Sequence, residues 1–321
     1  MEWPTFLDIL EARRRIAPYL QRTPLRYYHG LSKLLGCEVY VKHEETNPTG
    51  AFKVRGGINL ISQLSPEERE RGVITASTGN HGQSIAYASR LFGVRAIICV
   101  PEGANPDKVE AIRSLGAEIV EWGRDFEDAK RNAERLAEEE GYRYIHSGNE
   151  PLLIAGVGTI GLEIIEELPD VDVIIVPVGG GSGASGISIA VKTVNPEVEV
   201  IGVQSEGAPS VYLSWKRGSI VETEAVKTFA DGLATRRAFE LPLEIMREKL
   251  DDFILVSDEE IREAIRLYVE RAHVIAEGAG AAPLAAAVKI KERLKDRKVV
   301  LDLTGKNITA EELRRILCRG V

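Results

Sequence analysis

Five stretches of this 321-residue chain put nucleophilic or anion-gripping residue types where a turn can present them. The first is Asn47-Pro48-Thr49-Gly50-Ala51-Phe52-Lys53-Val54-Arg55-Gly56-Gly57, a turn sequence leading into a helix with Lys53 at or near its first turn. The positive end of a helix dipole disfavours an ammonium there and favours the neutral amine, the nucleophile a Schiff base needs. Gly50, Gly56 and Gly57 crowd small residues around that lysine and point to something bulky packed beside it. By position alone, Lys53 reads better as a solvated helix lysine. The second stretch is Ser77-Thr78-Gly79-Asn80-His81-Gly82-Gln83. Small polar residues between a strand and a helix expose N–H groups at a helix N-terminus, which binds anions such as a carboxylate. An ordinary helix capped by Ser77 or Asn80 is the rival, and His81 reads as an orienting or packing residue. The third is Val178-Gly179-Gly180-Gly181-Ser182-Gly183-Ala184-Ser185-Gly186, whose glycines between strand and helix make a phosphate cradle. It is not a P-loop. Gly179-x-Gly181-x-x-Ala184 leaves a dinucleotide loop as a rival, although Glu197 and Glu199 precede the next strand instead of ending it. A purely structural tight turn is the plain alternative. The fourth, Leu303-Thr304-Gly305-Lys306-Asn307, puts a hydroxyl at a strand end, where it faces the cleft of an open sheet or merely makes a polar turn. In the fifth, Glu277-Gly278-Ala279-Gly280, Glu277 is a cap-side carboxylate or a site residue.

These stretches need rigid elements to hold them. Apolar runs predict strands over Glu38–Lys42, Val73–Ala76, Val94–Val100, Glu118–Glu121, Val173–Val176, Val198–Val203 and Val299–Leu303. Amphipathic periodicity predicts helices over Phe6–Tyr19, Gly57–Gln63, Gly82–Phe92, Lys108–Leu115, Phe126–Glu140, Leu153–Glu167, Ser185–Val194, Asp258–Arg271 and Ala281–Leu294. Continuously apolar strands such as Val173-Ile174-Ile175-Val176 belong to sheets covered on both faces. The alternation of strand and helix argues for an α/β fold with parallel sheets. Two such series separate. The expected organisation is a large domain of 1–50 and 147–321 and a small domain of 51–146, with the site in the cleft between two open αβα sheets.

Composition narrows the partners. A net charge of -8 argues against a general nucleic-acid binder, which needs a basic face. No apolar run approaches the ~20 residues of a membrane span, and no signal-type segment is visible. Cys37, Cys99 and Cys318 form neither a CxxC pair nor a zinc pattern, as in a reduced, cytoplasmic protein.

Taken together and in this order, the motifs resemble those of the fold-type II pyridoxal 5′-phosphate (PLP) enzymes, the tryptophan synthase β-like family. The resemblance runs from Arg22-Thr23-Pro24-Leu25 to the Thr304 loop. It is nearest the branch of threonine/serine dehydratases and serine racemases, through Phe52-Lys53-Val54-Arg55-Gly56, Ser77–Gln83, the 101–109 segment and Phe229-Ala230-Asp231-Gly232-Leu233-Ala234. The resemblance implies PLP as cofactor, bound covalently by Lys53. Phe52 and Gly232 would flank its ring, Asn80 would bond the ring hydroxyl and Thr304 the ring nitrogen. Gly179, Gly180, Gly181, Ser182 and Gly183 would hold the phosphate, with Glu277 also in the cofactor site. Ser77, Thr78, Gly79, Asn80 and His81 would grip the substrate carboxylate.

Departures from the family pattern refine the activity. Asn47-Pro48-Thr49-Gly50 resembles threonine synthase, whereas His81 and Val54-Arg55-Gly56 resemble the dehydratases. Racemases of this branch carry a serine as second acid/base where Thr78 stands; its bulkier hydroxyl disfavours racemisation. Their divalent-metal positions correspond to Gln204, Ala208 and Ser210, so no such metal is expected, with Glu206 the one nearby carboxylate. The reading is an L-threonine (and L-serine) ammonia-lyase in which Lys53 takes the α-proton, Thr78 offers a hydroxyl nearby, and β-elimination leads to a 2-oxo acid and ammonia. Threonine synthase, serine racemase and 3-hydroxyaspartate dehydratase are the alternatives. A homodimer or homotetramer with a small amino-acid substrate, and no nucleic acid or membrane partner, completes the expectation.

Overall fold

The computed structural model describes residues 2–318; residue 1 and residues 319–321 of the expected large domain lie outside the described residues. In chain order the strands are β1 (Leu25–Tyr27), β2 (Glu38–His43), β3 (Val73–Ala76), β4 (Ala96–Val100), β5 (Glu118–Glu121), β6 (Arg143–Tyr144), β7 (Val173–Pro177), β8 (Glu199–Ser205), β9 (Asp252–Val256) and β10 (Lys298–Leu303). They form a six-stranded sheet, β1-β2-β10-β7-β8-β9, and a four-stranded sheet, β5-β4-β3-β6. Every pairing is parallel except that of β1 with β2. This is the α/β, two-sheet architecture expected from the alternating strands and helices.

The burial follows from the strand period. Val173 and Ile175 of β7 join the core under the helices Asp258–Leu267 and Gly278–Lys289, while Ile174 and Val176 join the core under Pro151–Glu167 and Ser182–Val194. A run with no polar residue is therefore buried on both sides.

Both sheets reverse their order at one point. β7, β8 and β9 step outward in one direction, and β10 returns on the other flank of β7. Likewise β3, β4 and β5 step one way and β6 returns beside β3. Crevices at the carboxyl ends of strands, at such reversals, are where open α/β sheets bind ligands. The loops leaving β7, β10, β3 and β6 carry the third, fourth and second motifs and the 145–150 segment.

The Val54–Ile61 helix is wedged between Pro151–Glu167 and Asn80–Phe92. A Cβ on Gly156 would lie 2.7 Å from Gly56 Cα, and one on Gly57 would lie 2.4 Å from Ser84 Oγ. The glycines after Lys53 thus admit neighbouring helices; the bulky thing packed beside them is the protein itself. Most predicted helices begin two or three residues earlier than their periodicity indicated. The Asp258–Arg271 prediction resolves into Asp258–Leu267 running into a π turn, Tyr268–Ala272, which ends at left-handed His273 (φ 57°). No helix among the described residues is long and apolar enough to cross a membrane.

Candidate active site

Lys53 occupies the residue just before the Val54–Ile61 helix. Its carbonyl accepts from Ser84 Oγ at 2.7 Å, and the preceding Phe52 N–H donates to the Thr304 carbonyl at 2.9 Å. A loop and a helix far apart in the chain thereby fix the backbone on either side of the lysine. The ammonium end crosses to the glycine loop and donates to Ser182 Oγ at 2.7 Å, 5.2 Å from the centre of the Phe52 ring. The amine's pKa is lowered to about 8, as the sequence pointed to, and desolvation by burial is the cause. The helix N-terminus it does meet is that of Ser182–Val194.

The glycine loop joins β7 to the Ser182–Val194 helix. Gly181 is left-handed (φ 90°), and its missing side chain leaves room for Met246 and Pro242. A Cβ on Gly179 would stand 2.0 Å from the Gly232 carbonyl oxygen, and one on Gly180 would stand 2.7 Å from the Phe239 ring. No side chain caps this helix, so the N–H groups of Ser182, Gly183 and Ala184 have no helical acceptor and point out of its first turn. A phosphate fits such a cradle: bare N–H donors, a helix dipole, and a lysine amine at the rim.

The second motif leads from β3 into the Asn80–Phe92 helix. Neither Ser77 nor Asn80 is its cap; Gly79 holds that position without a side-chain bond, and Ser77 Oγ accepts from the Gly79 N–H at 3.2 Å. Ser77, Thr78, Gly79 and Asn80 are all half-buried, and the first-turn donors of the helix are again free for an anion. His81 is buried, and its Nε2 lies 3.0 Å from Thr75 Oγ1. That hydroxyl gives its one proton to the Ile145 carbonyl, so His81 donates from Nε2. Burial first, and the Lys53 charge second, lower the His81 pKa to about 3. It is a neutral, oriented ring.

Asn80 turns both ends of its carboxamide to the larger sheet's side. Nδ2 donates to Glu277 Oε1 at 2.8 Å, and Oδ1 accepts from Asn307 Nδ2 at 2.7 Å. Asn307 also donates to the Thr49 carbonyl at 2.9 Å. Burial raises the Glu277 pKa to about 7, against the opposing effect of the Asn80 bond. Gly232 stands in the Asp231–Leu233 turn between Gly179 and Ala279. Thr304 follows β10 and is 2% exposed.

Lys53, Phe52, Ser182 and Thr304 thus share direct contacts, as do Gly179 with Gly232 and Asn80 with Glu277. Three neighbours had no role in the sequence reading. Asn307 was seen only as part of a turn, and its two bonds span more than 200 positions. Phe239 lies over Gly180 and also over Gly148. The His146 ring packs edge-on to Phe239 at 4.6 Å and accepts N–H bonds from Gly148 and Asn149 at Nδ1. At the positions considered for a metal, Gln204 accepts from the Tyr212 N–H, Ser210 donates to the Thr235 carbonyl, and Glu206 pairs with Lys289.

Comparisons with known proteins bear on this site. The family described as "Pyridoxal-phosphate dependent enzyme" matches residues 16–305. The L-threonine ammonia-lyase of Thermotoga maritima is 44% identical over 317 residues, 99% of this chain and 79% of that protein. The structure of maize serine racemase superposes with a TM-score of 0.94 at 33% identity, covering 98% of this chain and 97% of that one. The processed threonine deaminase isoform 2 of Solanum lycopersicum superposes with a TM-score of 0.94 at 34% identity, covering 98% and 92%.

Proposed function

The chain belongs to the pyridoxal-phosphate dependent enzymes, and on that premise we propose that it is an L-threonine (and L-serine) ammonia-lyase. The observation that carries the reading is the half-buried Lys53 amine, with a pKa of about 8, bonded to the rim of the glycine loop. With that pKa, roughly a tenth of it is a neutral base at pH 7, against well under a thousandth for an ordinary lysine. The sequence kinship to a named L-threonine ammonia-lyase supplies the substrate.

In this reading Gly179, Gly180, Gly181, Ser182 and Gly183 bind the cofactor phosphate. Phe52 and Gly232 flank its ring, Thr304 meets the ring nitrogen, and Asn80, tied to Glu277, meets the ring hydroxyl. Bound PLP supplies an electron sink for the pair left when the α-proton departs. The uncapped turn of Ser77, Thr78, Gly79, Asn80 and His81 holds the substrate carboxylate. Lys53 Nζ, neutral in part at this pKa, would take the α-proton. Thr78 presents its hydroxyl beside the same loop. The α-proton and the β-hydroxyl together make up the one water lost, and the released enamine takes up one water to give 2-oxobutanoate and ammonia from threonine. The division into 51–146 and 1–50 with 147–321, assembly as a homodimer or homotetramer, and a cytoplasmic location belong to the same reading.

Steady-state turnover across β-hydroxy amino acids tests it. L-Threonine is expected to give equimolar ammonia and 2-oxo acid, with L-serine slower. Phosphate release from O-phosphohomoserine without ammonia from threonine would replace the reading by threonine synthase. A second reading, serine racemisation, is favoured by the likeness to maize serine racemase. Chiral analysis of serine decides it: D-serine formed faster than pyruvate supports racemisation.

A further inference from the structure

We propose that Arg55 is the positioning residue for Lys53: a fully enclosed guanidinium clamp that sets where the lysine amine stands. Arg55 lies two residues beyond Lys53, in the first turn of the Val54–Ile61 helix, and is 1% exposed. Its fork engages two carboxylates at once. Nε and Nη2 donate to Glu44 at 2.8 Å each, and Nη1 and Nη2 donate to Glu163 at 2.7 and 2.9 Å. Thr159 Oγ1 and Thr23 Oγ1 accept at 3.1 Å each. Glu44 follows β2, and Glu163 and Thr159 sit on the Pro151–Glu167 helix. The clamp therefore nails the start of a short helix to two separate walls of the larger sheet's side.

The carboxylates are themselves saturated. Glu44 also accepts from Thr23 Oγ1 at 2.5 Å and Asn47 Nδ2 at 2.8 Å, and Lys42 Nζ lies 2.7 Å from Glu163 Oε2. Lys42 also reaches Glu167 Oε1 at 3.7 Å, so two cations face three carboxylates and each is held from more than one side. Burying such a set is a weak route to stability, because desolvation offsets most of the attraction; its better-attested use is fixing one geometry among several.

A fixed geometry is what the lysine lacks by itself. The helix it precedes spans 8 residues and has no side-chain N-cap, so local forces do not hold its first turn. The four-carbon stem is flexible, and the amine must still meet Ser182 Oγ across the cleft. The Thr304 and Ser84 bonds secure the lysine from two sides, and Arg55 secures the third. Its charge is already neutralised by Glu44 and Glu163, so its action on Lys53 is through position, not through the amine's proton affinity.

The inference rests on the Lys53 reading, and its test separates the two. Apoprotein of the parent, Arg55→Lys, Thr159→Val and Lys53→Ala is mixed with pyridoxal phosphate, and the rise of the lysine-linked absorbance is timed. Arg55→Lys keeps the charge but reaches one carboxylate only. It is expected to slow capture by about tenfold or more, as for a displacement of an ångström or so. The kcat for L-threonine is expected to fall with it, KM to stay within about twofold, and the isotope effect with α-deuterated threonine to rise. The pH midpoint for acetylation of Lys53 should not move. Thr159→Val removes one acceptor without unpairing a charge, so it reports even if Arg55→Lys fails to fold; capture a few-fold slower is expected. Unchanged capture and isotope effect in folded variants would overturn the inference, as would a shifted acetylation midpoint. Capture by Lys53→Ala at the parent rate, with the same absorbance, would overturn the Lys53 reading instead.

Discussion

Alanine at Gly179 should cost the protein its cofactor while leaving most of its fold. The added Cβ would meet the Gly232 carbonyl oxygen at 2.0 Å. Both partners are backbone, and Gly232 has no retreat, since its own Cβ position is 2.7 Å from Ala279 and the next residue's N–H is bonded to Ala230 at 2.8 Å. The two backbone segments must part by roughly 1.4 Å to restore an ordinary contact. A displacement of that size breaks one or two N–H bonds to a bound phosphate. At about 1.5–3 kcal/mol per charge-assisted bond, the loss is roughly 1.5–6 kcal/mol, or a Kd weaker by about 10 to 10⁴. Gly180→Ala is the control: it meets only the Phe239 ring, at 2.7 Å, and a ring can swing. Its cost should appear mainly as about 1–3 kcal/mol of stability, with Kd within about tenfold. Absorbance titration of apoprotein with pyridoxal phosphate, beside urea unfolding, separates the two effects. A Gly179→Ala protein that binds within about threefold of the parent would refute the cradle.

Three further outcomes follow from buried and half-buried polar groups. Asp302 on β10 is fully buried with neither carboxylate oxygen hydrogen-bonded, and burial, reinforced by Glu44, holds its pKa well above the usual range. The fold therefore keeps a proton that the unfolded chain releases above about pH 4, and stability falls by about 1.4 kcal/mol per pH unit as pH rises through that window. Asp302→Asn removes this slope, so its urea midpoint should gain on the parent's from pH 5 to 8; a gap that shrinks would contradict it. His81 and His146 have the opposite sign. Burial lowers them to about 3 and about 4, so the stability they allow is present above pH 6.5 and is lost as pH falls toward 4. His146→Gln should flatten that acid loss by about one proton, read from unfolding free energy between pH 6.5 and 4.5. Asn307→Ala strips Asn80 Oδ1 and the Thr49 carbonyl of their donor and should lower stability by about 1–2 kcal/mol, measured by urea unfolding; no change would mean water replaces it.

The α/β class and the clustering of the motifs were legible because continuous apolar runs such as Val173–Val176 have one physical solution, a sheet covered on both faces. What escaped was short or non-local. β1 and β6 have three and two residues, too few for a period, and they exist through pairing with β2 and β3. β9, Asp252–Val256, is an outer strand flanked by acidic residues. Helix starts were read late at Pro106 and Pro151 and at the glycines of 181–183, since residues favoured in a first turn look like loop in a window average. Lys53 stands out by its company, but the desolvation that lowers its proton affinity is not visible in a local sequence. Arg55 and Asn307 carried no local signal either: Glu163, one of the two carboxylates on Arg55, is 108 positions away, and Asn80, bonded to Asn307, is 227 away.

The central claim is that the Lys53 amine both holds PLP and moves the α-proton. The most direct measurement is ammonia release from L-threonine, together with the visible absorbance of purified, PLP-loaded Lys53→Ala. The account predicts that both the turnover and the lysine-linked absorbance are lost while the fold is retained. Sustained 2-oxobutanoate formation by that variant would contradict it.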